Sequence, residues 1–189
     1  MNSVRRYEEK DRDAVRKICL DNADCMGALT EEQRYVLIVY CNYYIEQEPE
    51  NCFVAVNDRD EAVGYVFCSE NYDRYEKIFT ENYLCQTAAL GTKRYVAAKL
   101  DMLSHAMYRE QYPAHLHIDI AAEYQRMGLG TVLINTLKEH LLKKGIDGVM
   151  AVCASDNEQA LSFYEKTGFK RLLATKLGVA LALDFEAEG

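Results

Sequence analysis

The segment Gln125-Arg126-Met127-Gly128-Leu129-Gly130 decides the fold prediction for this 189-residue chain. It follows an alternating stretch, 115–120, and precedes an amphipathic one, 129–144, which is typical of a turn between a strand and a helix. Backbone N–H groups converge at such a helix start, where the dipole favours an anion, and glycine allows a ligand close to the backbone. Arg126 adds a charged donor. The segment therefore suits a pyrophosphate, and a glycine-rich helix start that binds no ligand is the alternative.

Two other nucleotide-binding motifs do not fit this turn. A Walker loop requires Gly-Lys-Ser/Thr after four intervening residues, and the turn has no such sequence. A dinucleotide-binding fold requires a third glycine, but position 133 is Leu. Only about sixty residues follow, too few for a second mononucleotide-binding half. These observations argue against an oxidoreductase built on that fold.

Strand and helix patterns alternate on both sides of the turn. Strand patterns cover 3–7, 52–57, 62–69, 115–120, 147–154, 169–175 and 179–185. Helical patterns cover 11–22, 30–47, 129–144 and 157–167, and a tyrosine-rich stretch at about 71–112 is interpreted as a helical insertion. Thr30 with Gln33, and Ser155 with Glu158, have the spacing of a capping box. The order predicts an α/β (α+β) fold with helices packed on a central sheet, in one domain over 1–189.

Composition narrows the classes of protein further. The chain is 49% hydrophobic, enough for a core, and has 22 basic against 30 acidic residues, a net charge of −8. This balance argues against nucleic-acid partners, which require a basic surface. No apolar run approaches the ~18 residues of a membrane span. Seven cysteines without a C-x-x-C pair, and no signal-peptide pattern, predict reduced thiols in a cytoplasmic protein without a membrane partner.

A second motif downstream completes the pattern. The residues Asn157, Ala160, Tyr164, Gly168 and Phe169 follow at the spacing Asn-x-x-Ala-x-x-x-Tyr-x-x-x-Gly-Phe. With the glycine turn, segment 115–172 resembles the acetyl-CoA-binding half of the GNAT superfamily of N-acetyltransferases. The resemblance implies a central mixed, mostly antiparallel twisted sheet flanked by helices. It also implies acetyl transfer from acetyl-CoA to a primary amine of a small molecule or peptide, by direct attack on the thioester.

The resemblance also implies which residues bind acetyl-CoA. In the family, the strand before the turn pairs through its backbone with the pantetheine arm, here at Ile118 and Ile120. The pyrophosphate position corresponds to the turn and helix start, that is Gln125, Arg126, Met127, Gly128, Leu129, Gly130 and Thr131. Asn157 matches a pantetheine-contacting asparagine, although a polar residue in the first helical turn is the alternative.

Tyr164 matches the family's tyrosine near the thioester sulfur, which protonates the departing thiolate. A phenol with a pKa of about 10 is a suitable donor to a thiolate whose conjugate acid has a pKa of about 8.5. An aromatic residue that packs on the sheet is the alternative interpretation, because Tyr164 lies on the apolar stripe of its helix.

The strand 115–120 also contains candidates for the general base. Alternation places His115, His117 and Asp119 on one face. We expect His117, oriented by Asp119, to act as a water-linked base, with Glu70 as a rival and a hydrogen-bonded polar patch as the alternative. His115 and His117 have no third metal ligand at a convincing spacing, so no metal is predicted.

Two further features concern the acceptor side. Residues 1–114 have 14 basic and 20 acidic side chains, so this half either attracts a cationic amine or is simply a solvated acidic surface. Tyrosines of the second helix and of the insertion either line an acceptor pocket or belong to the core. Segment 115–125 also resembles, more weakly, the acetyltransferase-like domain of O-GlcNAc hydrolases. A non-catalytic acyl-CoA-binding module is therefore the alternative function, and a monomer or homodimer is expected.

Overall fold

The computed structural model describes residues 3–23, 30–176 and 178–185, which form a seven-stranded sheet with helices on both faces. The strands are β1 (Ser3–Arg6), β2 (Phe53–Val56), β3 (Ala62–Ser69), β4 (His115–Ile120), β5 (Gly148–Cys153), β6 (Lys170–Ala174) and β7 (Val179–Asp184). The helices are α1 (Arg12–Asn22), α2 (Glu31–Leu37), α3 (Tyr43–Gln47), α4 (Tyr72–Asn82), α5 (Leu84–Ala89), α6 (Thr92–Ala106), α7 (Leu129–Leu142) and α8 (Glu158–Lys166).

The sheet has the order β1-β2-β3-β4-β5-β7-β6. Strands β4 and β5 are parallel, and the other neighbouring pairs are antiparallel. The parallel pair is possible because α7 connects the two strands across one face of the sheet. This arrangement confirms the predicted mixed, mostly antiparallel sheet.

Alternation along the strands produces two cores, one on each face of the sheet. Tyr65 and Phe67 of β3 face the helices α1 to α6. Val66 of the same strand and Leu116 of β4 face α7 and α8. The insertion therefore packs on the same face as the N-terminal helices and opposite to the predicted coenzyme half.

The predicted helix over 30–47 is present but not uniform. The Thr30 side chain accepts a hydrogen bond from the Gln33 N–H, and the Gln33 side chain accepts one from the Thr30 N–H, as the capping-box spacing predicts. A π-helical segment, Ile38–Asn42, joins α2 to α3. Such a widened turn changes the direction of the side chains within a helix, and here it contains Tyr40.

The predicted helical insertion consists of three helices, α4 to α6. Ala98, Met102 and His105 form the buried side of α6. Leu100, Leu103 and the nearby Met107 lie outward and are 46%, 54% and 57% exposed. Across the described segments, the model contains no helix with the length and apolar character that a bilayer crossing requires.

Candidate active site

The backbone of β4 is open on one side because its two neighbours pair with it unequally. Strand β3 pairs with all six residues of β4, whereas β5 pairs only at His115↔Met150. The Ala121 N–H donates to the Val63 carbonyl, so alternation directs the backbone groups of Ile118 and Ile120 away from β3. The two strands diverge there and leave a wedge beside the strand that was predicted to bind pantetheine.

The turn after β4 is held in place by Gln125. Its Nε2 donates to the Ile120 carbonyl at 3.0 Å and to Asn22 Oδ1 at 3.3 Å, and its Oε1 accepts from Gln159 Nε2 at 2.9 Å. The side chain of Gln125 thus connects the end of β4 to α1 and α8.

The turn uses left-handed backbone at two positions. Arg126 has a φ of 62° and Gly128 a φ of 80°. Such a conformation is uncommon for a residue with a side chain, and strain of this kind concentrates at functional sites. It leaves the side chains of Arg126 and Met127 exposed, so the arginine can reach a bound anion.

Helix α7 begins without a side-chain cap. Gly128 is its N-cap residue and offers no side chain to the N–H groups of the first turn. The N–H groups of Leu129, Gly130 and Thr131 precede the first carbonyl that could accept them within the helix. They and the helix dipole form an anion site with the donors that a pyrophosphate requires. The residues present therefore fit the predicted ligand.

The two glycines of the turn have different structural roles. No atom lies within 4 Å of a Cβ added at Gly128, so that residue is required for its left-handed backbone. A Cβ at Gly130 would lie 2.7 Å from Cε2 of Phe163 on α8. Sequence reasoning attributed both glycines to ligand approach, whereas Gly130 allows α7 and α8 to pack closely.

Helix α8 starts at Asn157 rather than at the predicted capping box. The Oδ1 atom of Asn157 accepts from the Ala160 N–H at 2.9 Å. The Ser155 hydroxyl instead donates to the Lys176 carbonyl, so the Ser155–Glu158 capping box was wrong. The Asn157 side chain is exposed, and its amide N–H groups face no partner among the described residues.

Tyr164 of α8 belongs to the core on the face of the sheet that α7 and α8 cover. Its ring packs against Phe169 at a centroid distance of 5.0 Å and is 6% exposed. Burial, together with the charges of Cys153 and Asp119, raises the pKa of Tyr164 well above its ordinary value. The phenol therefore stays protonated, and the same shift makes it a weaker acid than a free phenol.

His117 and Asp119 are connected by a hydroxyl that sequence reasoning missed. Tyr65 of β3, the cross-strand neighbour of Asp119, donates to Asp119 Oδ2 at 2.7 Å. The same hydroxyl lies 3.1 Å from His117 Nδ1, whereas Nδ1 and Oδ2 are 3.8 Å apart. Since the hydroxyl has one hydrogen, which bonds to Asp119, His117 donates its Nδ1–H to Tyr65. Asp119 therefore orients His117 through Tyr65.

Burial changes the basicity of both groups. It lowers the pKa of His117 to about 4 and raises the pKa of Asp119 to about 7. The hydrogen bond from Tyr65 opposes the second shift. A base works best when its pKa is near the operating pH, so the carboxylate is better matched to proton removal at neutral pH than the imidazole.

The rival base Glu70 is part of a separate network. It forms an ion pair with Lys144 and accepts a hydrogen bond from Asn51 Nδ2 at 3.1 Å. Burial opposes the shift, but Lys144 and Asn51 leave the pKa of Glu70 lower than usual. Glu70 lies beyond the His115 end of β4, whereas the turn follows Ile120.

Within the described segments, no group of three or more His, Cys, Asp or Glu side chains could hold a metal.

An open strand edge, an uncapped helix start and a buried phenol together define an acyltransferase that uses a coenzyme A thioester. The acetyltransferase (GNAT) family model matches residues 15–169. The chain therefore belongs to the GNAT family, and acetyl-CoA is its cosubstrate. Both the resemblance seen in the sequence and the predicted enzyme class are confirmed.

Similar proteins agree with this assignment. N-alpha-acetyltransferase 30 of Schizosaccharomyces pombe is 28% identical over 137 residues, which cover 72% of this chain and 68% of that protein. The crystal structure of SsHAT superposes with a TM-score of 0.83 at 25% identity, covering 97% and 98% of the two chains. The NatC complex bound to Gag peptide and CoA shares the fold, with a TM-score of 0.61 at 14% identity over 98% and 99%.

Proposed function

We propose that the chain is an N-acetyltransferase that moves the acetyl group from acetyl-CoA to a primary amine of a small molecule or peptide, by direct attack of the amine on the thioester. One observation carries this proposal: β4, the strand that contains Asp119, has an open edge and leads through the turn into the uncapped start of α7. The name of the fission-yeast relative supports a peptide N-terminus as acceptor, and the acidic N-terminal half supports a cationic amine.

We assign donor binding to the strand edge, the turn and the start of α8, where the sequence predicted it. The backbone of Ile118 and the N–H of Ile120 bind the pantetheine arm as an added strand would, since the Ile120 carbonyl already accepts from Gln125. The first N–H groups of α7 and the Arg126 side chain bind the pyrophosphate. Asn157 caps α8 with its oxygen and offers its amide N–H groups to the arm. Bound in this way, acetyl-CoA supplies the activated acyl group.

Proton removal from the acceptor is assigned to Asp119. The pKa of an alkylammonium, about 10.4, lies about 3.4 units above pH 7. Deprotonating the acceptor at pH 7 therefore costs roughly 4–5 kcal/mol without help from the site. Asp119 accepts the proton, directly or through a water, and Tyr65 and His117 hold the carboxylate in position. His117 is therefore a positioning residue, and its Nε2 remains free to orient a water.

Proton delivery to the leaving thiolate is assigned to Tyr164. Replacing it by phenylalanine keeps its packing against Phe169 and removes the donor. We expect Tyr164→Phe to slow CoA release about 100-fold or more and to leave acetyl-CoA affinity unchanged. The measurement is the rate of CoA release over a panel of primary amines, together with calorimetric titration of acetyl-CoA.

Tyr108→Phe is the matched control, because Tyr108 packs beside Tyr112 on the other face of β5, away from Tyr164. An unchanged rate in Tyr164→Phe would remove this phenol from the mechanism. Acetyl-CoA binding by the wild-type protein without CoA release for any amine would contradict the transferase and support a non-catalytic acyl-CoA-binding module.

A further inference from the structure

The insertion helix α6 presents a partly buried carboxylate without a counter-ion. Asp101 has 19% of its side chain exposed, and over 3–23, 30–176 and 178–185 its one ion-pair neighbour is His105, 4.0 Å away. Burial lowers the pKa of His105 to about 4, so this neighbour is neutral, and it raises the pKa of Asp101 to about 7, as expected for a carboxylate that lacks a cation. Burying a carboxylate is costly unless a cation accompanies it. Asp101 therefore has the properties of a group whose cationic partner comes from outside.

Tyrosines from the neighbouring helices pack around the histidine pair beside this carboxylate: the rings of Tyr75, Tyr44 and Tyr72 lie 4.6, 5.9 and 6.1 Å from that of His115, which lies 4.4 Å from that of His105. Burial and the charge of Asp101 raise the pKa values of several phenols within reach, and for Tyr40 that charge is the largest cause. The tyrosines affected are Tyr35, Tyr40, Tyr44, Tyr72 and Tyr75. The faces of aromatic rings attract organic cations, most strongly where water is excluded. The surroundings of Asp101 therefore favour an ammonium group.

Two buried histidines beneath Asp101 lack hydrogen-bond partners. His115 is 1% exposed, and neither of its ring nitrogens has a partner among the described residues. His105, 6% exposed, has an unpartnered Nδ1, and the two rings lie 4.4 Å apart. Buried polar atoms almost always have a partner, either protein or water. These nitrogens leave unmet hydrogen-bonding capacity next to Asp101, which a water or a bound polar group would satisfy.

This region is continuous with the proposed active site. The ring of Tyr40 stacks on His117 at 5.2 Å, and His117 connects through Tyr65 to Asp119. Tyr40, His117 and Asp101 are each partly exposed, so solvent reaches all three. Asp119 therefore lies at the reacting end of this row of side chains, and Asp101 lies at its distal end.

We propose that Asp101 and the tyrosines around it form a subsite for a second cation, so that the preferred acceptor is a diamine. One amino group of the diamine gives its proton to Asp119 and is acetylated, and the other remains an ammonium bound by Asp101. The inference rests on the proposed function and specifies its substrate class. The subsite differs from long-range attraction of cations by the acidic surface, because a single carboxylate, that of Asp101, binds the second ammonium.

The test compares monoamines with diamines of matched length. We expect wild-type kcat/KM for the best of 1,3-diaminopropane, 1,4-diaminobutane and 1,5-diaminopentane to exceed that for the matched alkylamine by about 10-fold or more. In Asp101→Asn, the diamine value falls by about 10- to 100-fold, mainly through KM, while the monoamine value changes by less than about 3-fold. Glu76→Gln removes an exposed acidic charge from α4 and leaves both values unchanged.

Calorimetric titration of 1,4-diaminobutane in the presence of CoA provides a readout that does not need turnover. If no amine is acetylated, the proposed function fails, but diamine binding that Asp101→Asn abolishes still supports the subsite. Equal losses for monoamine and diamine, or undiminished diamine use by the variant, would overturn it. Asp101→Ser, which removes the charge and keeps a small polar side chain, provides the same comparison if Asp101→Asn does not fold.

Discussion

Replacement of Asp119 by asparagine is expected to lower kcat/KM for CoA release by about 10²- to 10⁴-fold, the usual contribution of a general base. Asparagine keeps the shape of the side chain and an oxygen that accepts from Tyr65, so the loss reports the missing proton acceptor. Because the pKa of Asp119 is raised to about 7 by burial, the wild-type rate should increase as pH rises through 7. The variant should lack this increase.

The pH dependence of stability gives a second readout. A carboxyl whose pKa is raised by folding stabilises the folded state below its unfolded pKa, and this contribution is lost as pH rises through about 7. Asp119→Asn should remove that component of the unfolding profile. Asp184→Asn is the matched control, because Asp184 accepts from the Tyr112 hydroxyl at 2.8 Å away from the site. A pH–rate profile that keeps its increase in Asp119→Asn would show that another group is the base.

Replacement of Glu48 by alanine is expected to cost about 3–5 kcal/mol of unfolding free energy. Glu48 has no exposed surface. Its carboxylate accepts from the Tyr43 and Ser69 hydroxyls, both at 2.7 Å, from Asn51 Nδ2 at 3.0 Å and from the Glu70 N–H at 3.1 Å. Alanine leaves four donors in the core without an acceptor. Thermal unfolding should show a fall in Tm of roughly 6–20 °C.

Glu48→Gln tests the reason for that loss. An amide can place its NH₂ group against the two hydroxyls, which also accept hydrogen bonds, and keep its oxygen for Asn51 and the Glu70 N–H. We therefore expect a cost of only about 1–2 kcal/mol for this variant. Glu50→Ala, at a neighbouring exposed position, should change stability by less than about 0.5 kcal/mol. Similar losses for alanine and glutamine would mean that the charge itself, rather than the four hydrogen bonds, stabilises this junction.

Much of the fold could be predicted because local patterns and tertiary packing agree. Strands β3 and β4 have the predicted bounds, since both alternate between residues that face the two cores. The turn after β4 was also predictable, because the positive φ at Gly128 and the close contact at Gly130 both require glycine. These positions allow few other residues, so their sequence is informative.

The remainder depended on contacts that sequence spacing does not encode. Tyr65 joins Asp119 to His117 only because register pairs β3 with β4. The available signal in the sequence was the alternation along β3, which places Tyr65 on the same face of the sheet as Asp119 and His117. Ser155 and Asn157 both suit a helix start, and the contact of Ser155 with the Lys176 carbonyl, distant in sequence, decides between them. The unpaired state of Asp101 likewise depends on which residues of α6 face inward.

Calorimetric titration of coenzyme A into the folded protein, with pantetheine as the comparison ligand, tests the central claim most directly. We predict one site that binds coenzyme A roughly 100-fold or more tightly than pantetheine, which lacks the pyrophosphate. Arg126→Glu should weaken coenzyme A binding about 10-fold or more and change pantetheine binding by less than about 2-fold. Absence of heat with coenzyme A and acetyl-CoA, on well-folded protein, would contradict the account.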